Sequence, residues 1–583
     1  MPNNGYLYSK LEKNIDVEVK EPLKEYPRPN FKRNSYYNLN GEWNYVISKS
    51  KETPSKSKDI VVVPYAIESP LSKVNHSLEV DEFIYYFLDF KIPQEILNKD
   101  RVIINFDGVD QSCDLYINNN YVGSHCGGYT KFYYNIKKYV TSNINSLILR
   151  VKDVTDTSYH MRGKQVLNPS GWFYSSSSGI YKSVWLEGVD EKRINAIKLT
   201  PLFDEGSVEV LVNTSDEGSV DLKIENQNIT IKSNTKITIK LDEFHPWNIA
   251  SPYLYQVKAK FFDDEVESYF GLRKIEVRKE ENPGIYLNNK RIIINGLLDQ
   301  GYYYLGGLTP RSYNDYEEDV KNTLKLGYNC LRKHIKIECD MFYYYCDKYG
   351  LLVIQDFPCG GTPYIFINCV IPRINIKLFN KEKYCTYKKY SRTDKLGRNE
   401  FIKEVKEIMA TTYNFPSVII YTIFNEGWGE FDPSLVYKEL KKLDPTHLFD
   451  TASGWLDSSN SDLFSIHSYT FPSLTREDKK DHRPYILSEI GGAGFKVEGH
   501  YFYPKVYGHH VCTSLKALNK RYYKLYSKLI KKMKKGILNG VIYTELNDCE
   551  TECNGIYTLD RKYFKLDEKM VIDLNEEIKD IYK

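Results

Sequence analysis

Two short apolar runs each end in a glutamate. "SVIIYTIFNE" (417–426) closes on Glu426 and "YILSEIG" (485–491) carries Glu489, each where a buried strand would meet solvent. A single carboxylate at such a place is a surface charge or half of an ion pair. Two of them brought close together can divide the cleavage of a polar bond: one protonates the departing oxygen, the other stabilises or attacks the electron-poor carbon left behind. That division works only if the elements carrying them converge.

The pattern after residue 281 makes them converge. Strand candidates there are "RIIINGLLD" (291–299), "GYNCLRKH" (327–334), "LLVIQDF" (351–357), "SVIIYTIFNE" (417–426), "HLFDTAS" (447–453), "LFSIHSY" (463–469), "YILSEIG" (485–491) and "GVIYTEL" (540–546). Amphipathic helices lie between several of them, such as "DYEEDVKNTLKLG", "EFIKEVKEIMATTY" and "PSLVYKELKKL". Eight alternating units predict a (β/α)₈ (TIM) barrel, whose chemistry gathers at the C-terminal ends of the strands. Glu426 then closes the fourth strand and Glu489 the seventh. Upstream, residues 1–190 hold alternating runs such as "RVIINFDGV" and "SLILRVKDV" between Gly, Asn and Ser turns, the period of an antiparallel β-sandwich. Residues 191–280 continue with "SVEVLVN", "SVDLKIEN" and "TKITIKL", a unit of the size and strand count of an immunoglobulin-like sandwich. The expected domains are therefore 1–190, 191–280 and a catalytic barrel over 281–583.

Glycosidic bonds break through an oxocarbenium-like transition state and need such a pair of carboxyls. A separation of about 5–5.5 Å lets the second attack directly and retains configuration, whereas about 6.5–9.5 Å leaves room for a water and inverts it. Sequence does not measure that distance.

The residues carry a resemblance over nearly the whole chain. "LNGEWNY" (39–45), "FDGVDQSCDLYINNNYVGSHCGGYTKF" (106–132) and "SGIYKSVWLE" (178–187) resemble the sugar-binding jelly roll of glycoside hydrolase family 2. "SPYLYQV" and "YFGLRKIEV" resemble the end of that family's immunoglobulin-like domain, and "FNEGWGE" with "LSEIGG" its acid/base and nucleophile motifs. The resemblance implies a retaining exo-β-glycosidase with Glu489 as nucleophile, Glu426 as acid/base and Asn425 holding the hydroxyl beside the anomeric carbon. Once Glu489 is glycosylated, Glu426 loses a negative neighbour and its pKa should fall, so that it serves as base for the attacking water.

Further expected substrate contacts are His334 at the end of strand two, His467 and Tyr469 at strand six, Asp356 at strand three and Glu545 at strand eight. Asp356 could equally pair with a neighbouring strand end, and Glu545 with an arginine. Trp428 and Trp455, after strands four and five, could stack on a sugar face or simply pack. Gly127 and Gly128 read as a tight turn between sandwich strands. Family members that cut glucuronides carry an Asn-x-Lys motif near the last strand. The matching stretch here, "TECNGIYT", offers Glu552, Cys553 and Asn554 and no cation, which favours a neutral glycone, β-galactoside first and β-mannoside or β-glucoside behind it. Segment 360–397 reads as an aglycone wall, a homo-oligomer contact or a surface loop.

Composition excludes other classes. Eighty basic and 77 acidic residues give +3 with no basic stripe, which argues against nucleic acid and acidic membranes as partners and leaves a carbohydrate substrate. "KKMKK" (531–535) is the solvated side of an amphipathic helix. Eleven scattered cysteines, without CxxC or a Cys/His cluster at zinc spacing, suggest a reducing, cytoplasmic setting, no disulfide framework and no structural metal or cofactor. The start "MPNNGYLYSK" lacks the apolar core of a signal peptide. Two other readings remain: a catalytically silent carbohydrate-binding protein on this scaffold, and a barrel enzyme using metal or phosphate chemistry, for which no ligand cluster or Gly-rich loop is visible.

Overall fold

The computed structural model describes residues 17–280, 283–361, 387–388, 390–458, 460–469, 481–503 and 506–582. Most of segment 360–397, including "YIFINCVIPRINIKLF", lies outside these described residues.

The first unit is a jelly-roll sandwich of a four-stranded and a six-stranded antiparallel sheet. The strand Asn145–Lys152 shows why it folds this way: buried and half-buried residues alternate strictly along it. Leu147, Leu149 and Val151 enter the core beside Trp43, Ile104 and Leu115. Each such side chain removed from water contributes about 1.5–3 kcal/mol. The second unit packs a three-stranded sheet on a four-stranded one, giving the seven-stranded immunoglobulin-like sandwich.

The third unit is the barrel. Its strands are β1 (Ile294–Asp299), β2 (Cys330–Lys333), β3 (Leu352–Asp356), β4 (Val418–Asn425), β5 (Leu448–Ser453), β6 (Phe464–Ser468), β7 (Tyr485–Gly491) and β8 (Gly540–Thr544). They pair in the order β5-β4-β3-β2-β1-β8-β7-β6, all parallel. The seam between β5 and β6 is closed by Asp462: its backbone N–H donates to the Phe449 carbonyl (2.9 Å) and its carboxylate accepts from the Phe449 N–H (2.8 Å). Helices α1 (Tyr313–Lys325), α2 (Asp340–Tyr349), α3 (Lys395–Thr412), α4 (Pro433–Leu443), α5 (Leu515–Met533) and α6 (Glu568–Lys579) surround it. Seven of the eight strands are buried on both faces, whereas β6 alternates half-buried and buried residues. Leu352 and Ile354 fill the barrel interior, and Val353 between them packs outward against the helices.

The run 291–299, expected as one strand, is two. Lys290–Ile292 pairs with Gly284–Leu287 in a separate hairpin, and only Ile294–Asp299 enters the barrel. The immunoglobulin-like unit docks under the barrel, where Arg273 donates to the carbonyls of Pro416 (3.0 Å) and Val418 (2.8 Å) at the start of β4. The jelly roll instead reaches the opposite, C-terminal face: the Ser175 N–H bonds Glu550 (2.9 Å) in the loop after β8.

Candidate active site

At the end of β4 the backbone turns sharply, with Glu426 at φ 51° and Gly427 at φ 72°. A non-glycine residue in the left-handed region carries strain, which the surroundings must hold in place. Here the Glu426 N–H is tied to the Ser453 carbonyl of β5 at 3.0 Å. On the opposite side β7 and β6 pair in register with Glu489 beside His467. The two glutamates thereby meet over the barrel mouth, and a carboxylate oxygen of each lies within 4.8 Å of the other and of a His467 nitrogen.

Arg332 of β2 organises the floor. It is fully buried, and its guanidinium donates from Nε to Asp356 (3.0 Å), from Nη1 to the Ser488 carbonyl (2.9 Å) and Glu489 Oε1 (3.1 Å), and from Nη2 to Asn425 Oδ1 (2.9 Å) and Ser453 Oγ (3.0 Å). Burial opposes the charge, but Asp356 and Glu489 overcome it and hold the arginine above its ordinary range. Asp356 is correspondingly held below the usual carboxylate range, with Arg332 and His334 outweighing its burial. His334 Nδ1 lies 3.0 Å from Asp356.

His467 bridges the pair. Burial depresses its pKa to about 3, so the imidazole is neutral at neutral pH. Its Nε2 faces Arg332 Nη1 at 3.2 Å and Glu489 Oε1 at 3.4 Å, and because an arginine can only donate, its approach favours the tautomer with the ring proton on Nδ1. Nδ1 then donates to Glu426 Oε1 at 2.8 Å. The Tyr469 hydroxyl donates to Glu489 Oε2. The same logic orients Asn425: Oδ1 accepts from Arg332 and Ser453 (3.0 Å), which leaves Nδ2 as the donor to face a ligand.

Seven of the residues expected from sequence line one cavity: His334, Asn425, Glu426, Trp428, Trp455, Tyr469 and Glu489. His467, Asp356 and Glu545 stand behind its wall. Glu545 accepts from Gln300 (2.7 Å), and burial with the nearby Glu552 pushes its pKa well above the usual range. Trp455 sets its ring edge-on to His467, 5.7 Å between centroids, while Trp428 stacks on Phe173 of the jelly-roll unit at 5.6 Å.

The sequence reading missed several neighbours. Arg332 sits two residues before His334 in "CLRKH", so strand alternation could have placed both inward. Lys164 and Trp172 come from the first sandwich and also line the cavity, with Glu552, Tyr507 and His509. Lys164 is buried, 3.4 Å from Glu552. No local signal announces these, because their place depends on how two domains dock. Gly127 and Gly128 do form a turn between sandwich strands.

Among the described residues no helix is long and apolar enough to cross a membrane. Comparison with known proteins gives a consistent assignment. The sugar-binding domain of glycosyl hydrolases family 2 matches residues 37–188, a second model of that family 197–273, and its TIM barrel domain 275–568. A β-galactosidase of Thermoanaerobacterium thermosulfurigenes is 26% identical over 463 residues, 71% of this chain and 58% of the relative. A putative β-glucuronidase of Formosa agariphila is 24% identical over 492 residues, 78% of this chain and 43% of the relative. The chain thus spans about half the length of the curated relatives it matches. Among solved structures, a Ruminococcus gnavus β-glucuronidase superposes with a TM-score of 0.74 at 15% identity, over 96% of this chain and 100% of that one. A β-galacturonidase from Eisenbergiella tayi does so at 0.70 and 19%, over 94% and 99%. These structures share the fold, and the family matches extend over sandwich, linker sandwich and barrel alike: the chain belongs to glycosyl hydrolases family 2.

Proposed function

We propose that the protein is a retaining exo-β-glycosidase. The observation that carries this reading is the approach of Glu426 and Glu489, whose carboxylate oxygens lie within 4.8 Å at the barrel mouth. That close approach of one oxygen from each carboxylate supports direct attack at the anomeric carbon, the geometry of retention. Glu489, with its charge matched by Arg332, attacks the anomeric carbon while Glu426 protonates the leaving oxygen. The resulting glycosyl-enzyme is hydrolysed by a water that Glu426 deprotonates. His467 fixes Glu426 through Nδ1–H, and Asn425 Nδ2 donates to the hydroxyl next to the reacting carbon, a bond that strengthens in the transition state.

For the glycone, a neutral β-hexoside and first a β-galactoside is favoured, because the stretch Glu552, Cys553 and Asn554 after β8 offers no cation for a sugar carboxylate. One observation supports a β-uronide instead: Lys164 places an ammonium on the cavity wall, and relatives of both kinds are known by name. Its charge is already matched by Glu552 at 3.4 Å.

The test is hydrolysis of p-nitrophenyl β-D-galactoside, glucoside, mannoside, glucuronide, galacturonide and glucosaminide by wild type and Glu489→Ala. Turnover of one glycoside that disappears in the variant supports the reading and names the glycone. Silence across the panel from a folded protein that still binds sugars would replace it with the carbohydrate-binding one.

A further inference from the structure

Away from the barrel mouth, the jelly roll and the barrel meet at a second cluster of reactive side chains. Cys126 ends the sandwich strand Asn120–Cys126, His160 sits in the loop after Asn145–Lys152, and Glu400 lies in the first half of α3. Cys126 Sγ lies 3.8 Å from His160 Nδ1, and Glu400 Oε1 lies 2.6 Å from the same nitrogen. All three donor atoms fall within 4.8 Å of one another.

The shared nitrogen rules out a nucleophile relay. In a Cys–His–carboxylate triad the thiol and the acid face opposite ring nitrogens, so that the proton can cross the ring. Here both converge on Nδ1, as donors do around one point. The bond lengths of a tetrahedral zinc ion place neighbouring S, N and O donors about 3.3–3.6 Å apart. The Cys126–His160 distance is close to that already, and the Glu400 carboxylate needs to swing back by less than an ångström.

A second observation points to the same cation. Glu404, one helical turn beyond Glu400 on the same face of α3, is 1% exposed. Neither of its carboxylate oxygens has a hydrogen-bond partner among the described residues. Its carboxylate is packed against the turn that follows Cys126: a Cβ added to Gly127 would stand 2.9 Å from Glu404 Oε2. Lys403 and Arg392 act on it only through space. A buried carboxyl group without a hydrogen-bond partner is costly, and a neighbouring divalent cation would offset that cost.

We propose that Cys126, His160 and Glu400 bind a zinc-class divalent transition-metal ion, with the buried carboxylate of Glu404 balancing its charge from outside the ligand set. Thiolate, imidazole and carboxylate form a borderline-soft set suited to zinc or cobalt and poorly suited to magnesium or calcium. The ion staples the jelly roll to α3. It also anchors the stretch of chain that runs on from His160 to Lys164 and Trp172, so that it steadies one wall of the active-site cavity from outside. Zinc spacing is invisible in the sequence because the ligands stand 34 and 240 residues apart.

The full chain, stripped with chelator and dialysed, is titrated with cobalt(II) alone and then displaced with zinc. One equivalent of cobalt should produce a thiolate-to-metal charge-transfer band in the near ultraviolet, and zinc should abolish the band and raise the melting temperature. Cys126→Ser should eliminate the band, and His160→Gln or Glu404→Gln should weaken binding at least tenfold. The cluster of Glu426, His467 and Glu489 holds no sulfur and cannot give this band, so binding there is distinguished. No thiolate band at saturating cobalt would overturn the proposal. So would a band and stoichiometry unchanged in His160→Gln, a variant that decides the matter even if Cys126→Ser fails to fold.

Discussion

Replacing Arg332 by lysine keeps a positive charge on β2 and removes the fork that distributes it. The guanidinium has five N–H donors, and its acceptors are spread over Asp356, Ser488, Glu489, Asn425 and Ser453, between 2.9 and 3.1 Å away. An ammonium offers three donors from one point, so it cannot serve both the Asp356 side and the Asn425–Glu489 side. At least two charge-assisted bonds are lost, each worth about 1.5–3 kcal/mol. The gross loss is about 3–6 kcal/mol, and at 1.4 kcal/mol per factor of ten this corresponds to roughly 10²–10⁴ in rate. Water entering the gap recovers part of it, which places Arg332→Lys near the lower end, about a 10²-fold loss in kcat/KM. The loss should fall mainly on kcat, because Asn425 and Glu489 act on the transition state more than on the bound substrate. The assay is steady-state hydrolysis of whichever aryl glycoside the panel identifies, with circular dichroism as a control for folding. Activity within threefold of wild type would refute the role assigned to the fork.

Glu426→Ala should still form the glycosyl-enzyme from aryl glycosides with good leaving groups but hydrolyse it slowly, and azide should rescue turnover as a β-glycosyl azide; an α-azide would contradict retention. A pH-rate profile left unchanged by Glu426→Gln would sink its acid/base role. Glu552→Gln removes the partner of Lys164 and should raise the ratio of uronide to galactoside hydrolysis about tenfold, equivalent to 1.4 kcal/mol; an unchanged ratio would show that Lys164 does not face the glycone. Asp347 accepts from the Ser417 N–H (2.8 Å) and the Tyr269 hydroxyl (2.9 Å), and burial pushes its pKa up to about 8. Because the folded form holds this proton more tightly than the unfolded chain, its stabilisation is complete below about pH 4 and is lost as pH rises through about 8. Asp347→Asn cannot ionise, so its melting temperature should fall less between about pH 6 and 9 than that of wild type; parallel curves would exclude the assignment.

The sequence alone determined what depends on local periodicity. Strict alternation in Asn145–Lys152 specifies a half-buried strand, and continuous apolar runs such as Val418–Asn425 specify strands covered on both faces, because burial acts on each residue where it stands. Those runs end at the barrel mouth, so Glu426 and Glu489 were legible as candidates from their position at strand ends, and Asn425 from the family resemblance. The splitting of 291–299 was not, since a hairpin strand and a barrel strand share one apolar pattern and only their pairing partners separate them. What tertiary structure decided is whatever needs two distant segments at once: the 4.8 Å limit on the carboxylate pair, the Arg332 fork, Lys164 on the cavity wall and the meeting of Cys126, His160 and Glu400. Electrostatic and coordination interactions act over a few ångströms of space and carry no period along the chain. Their partners become visible only after hydrophobic burial has closed the barrel and docked the sandwich onto it.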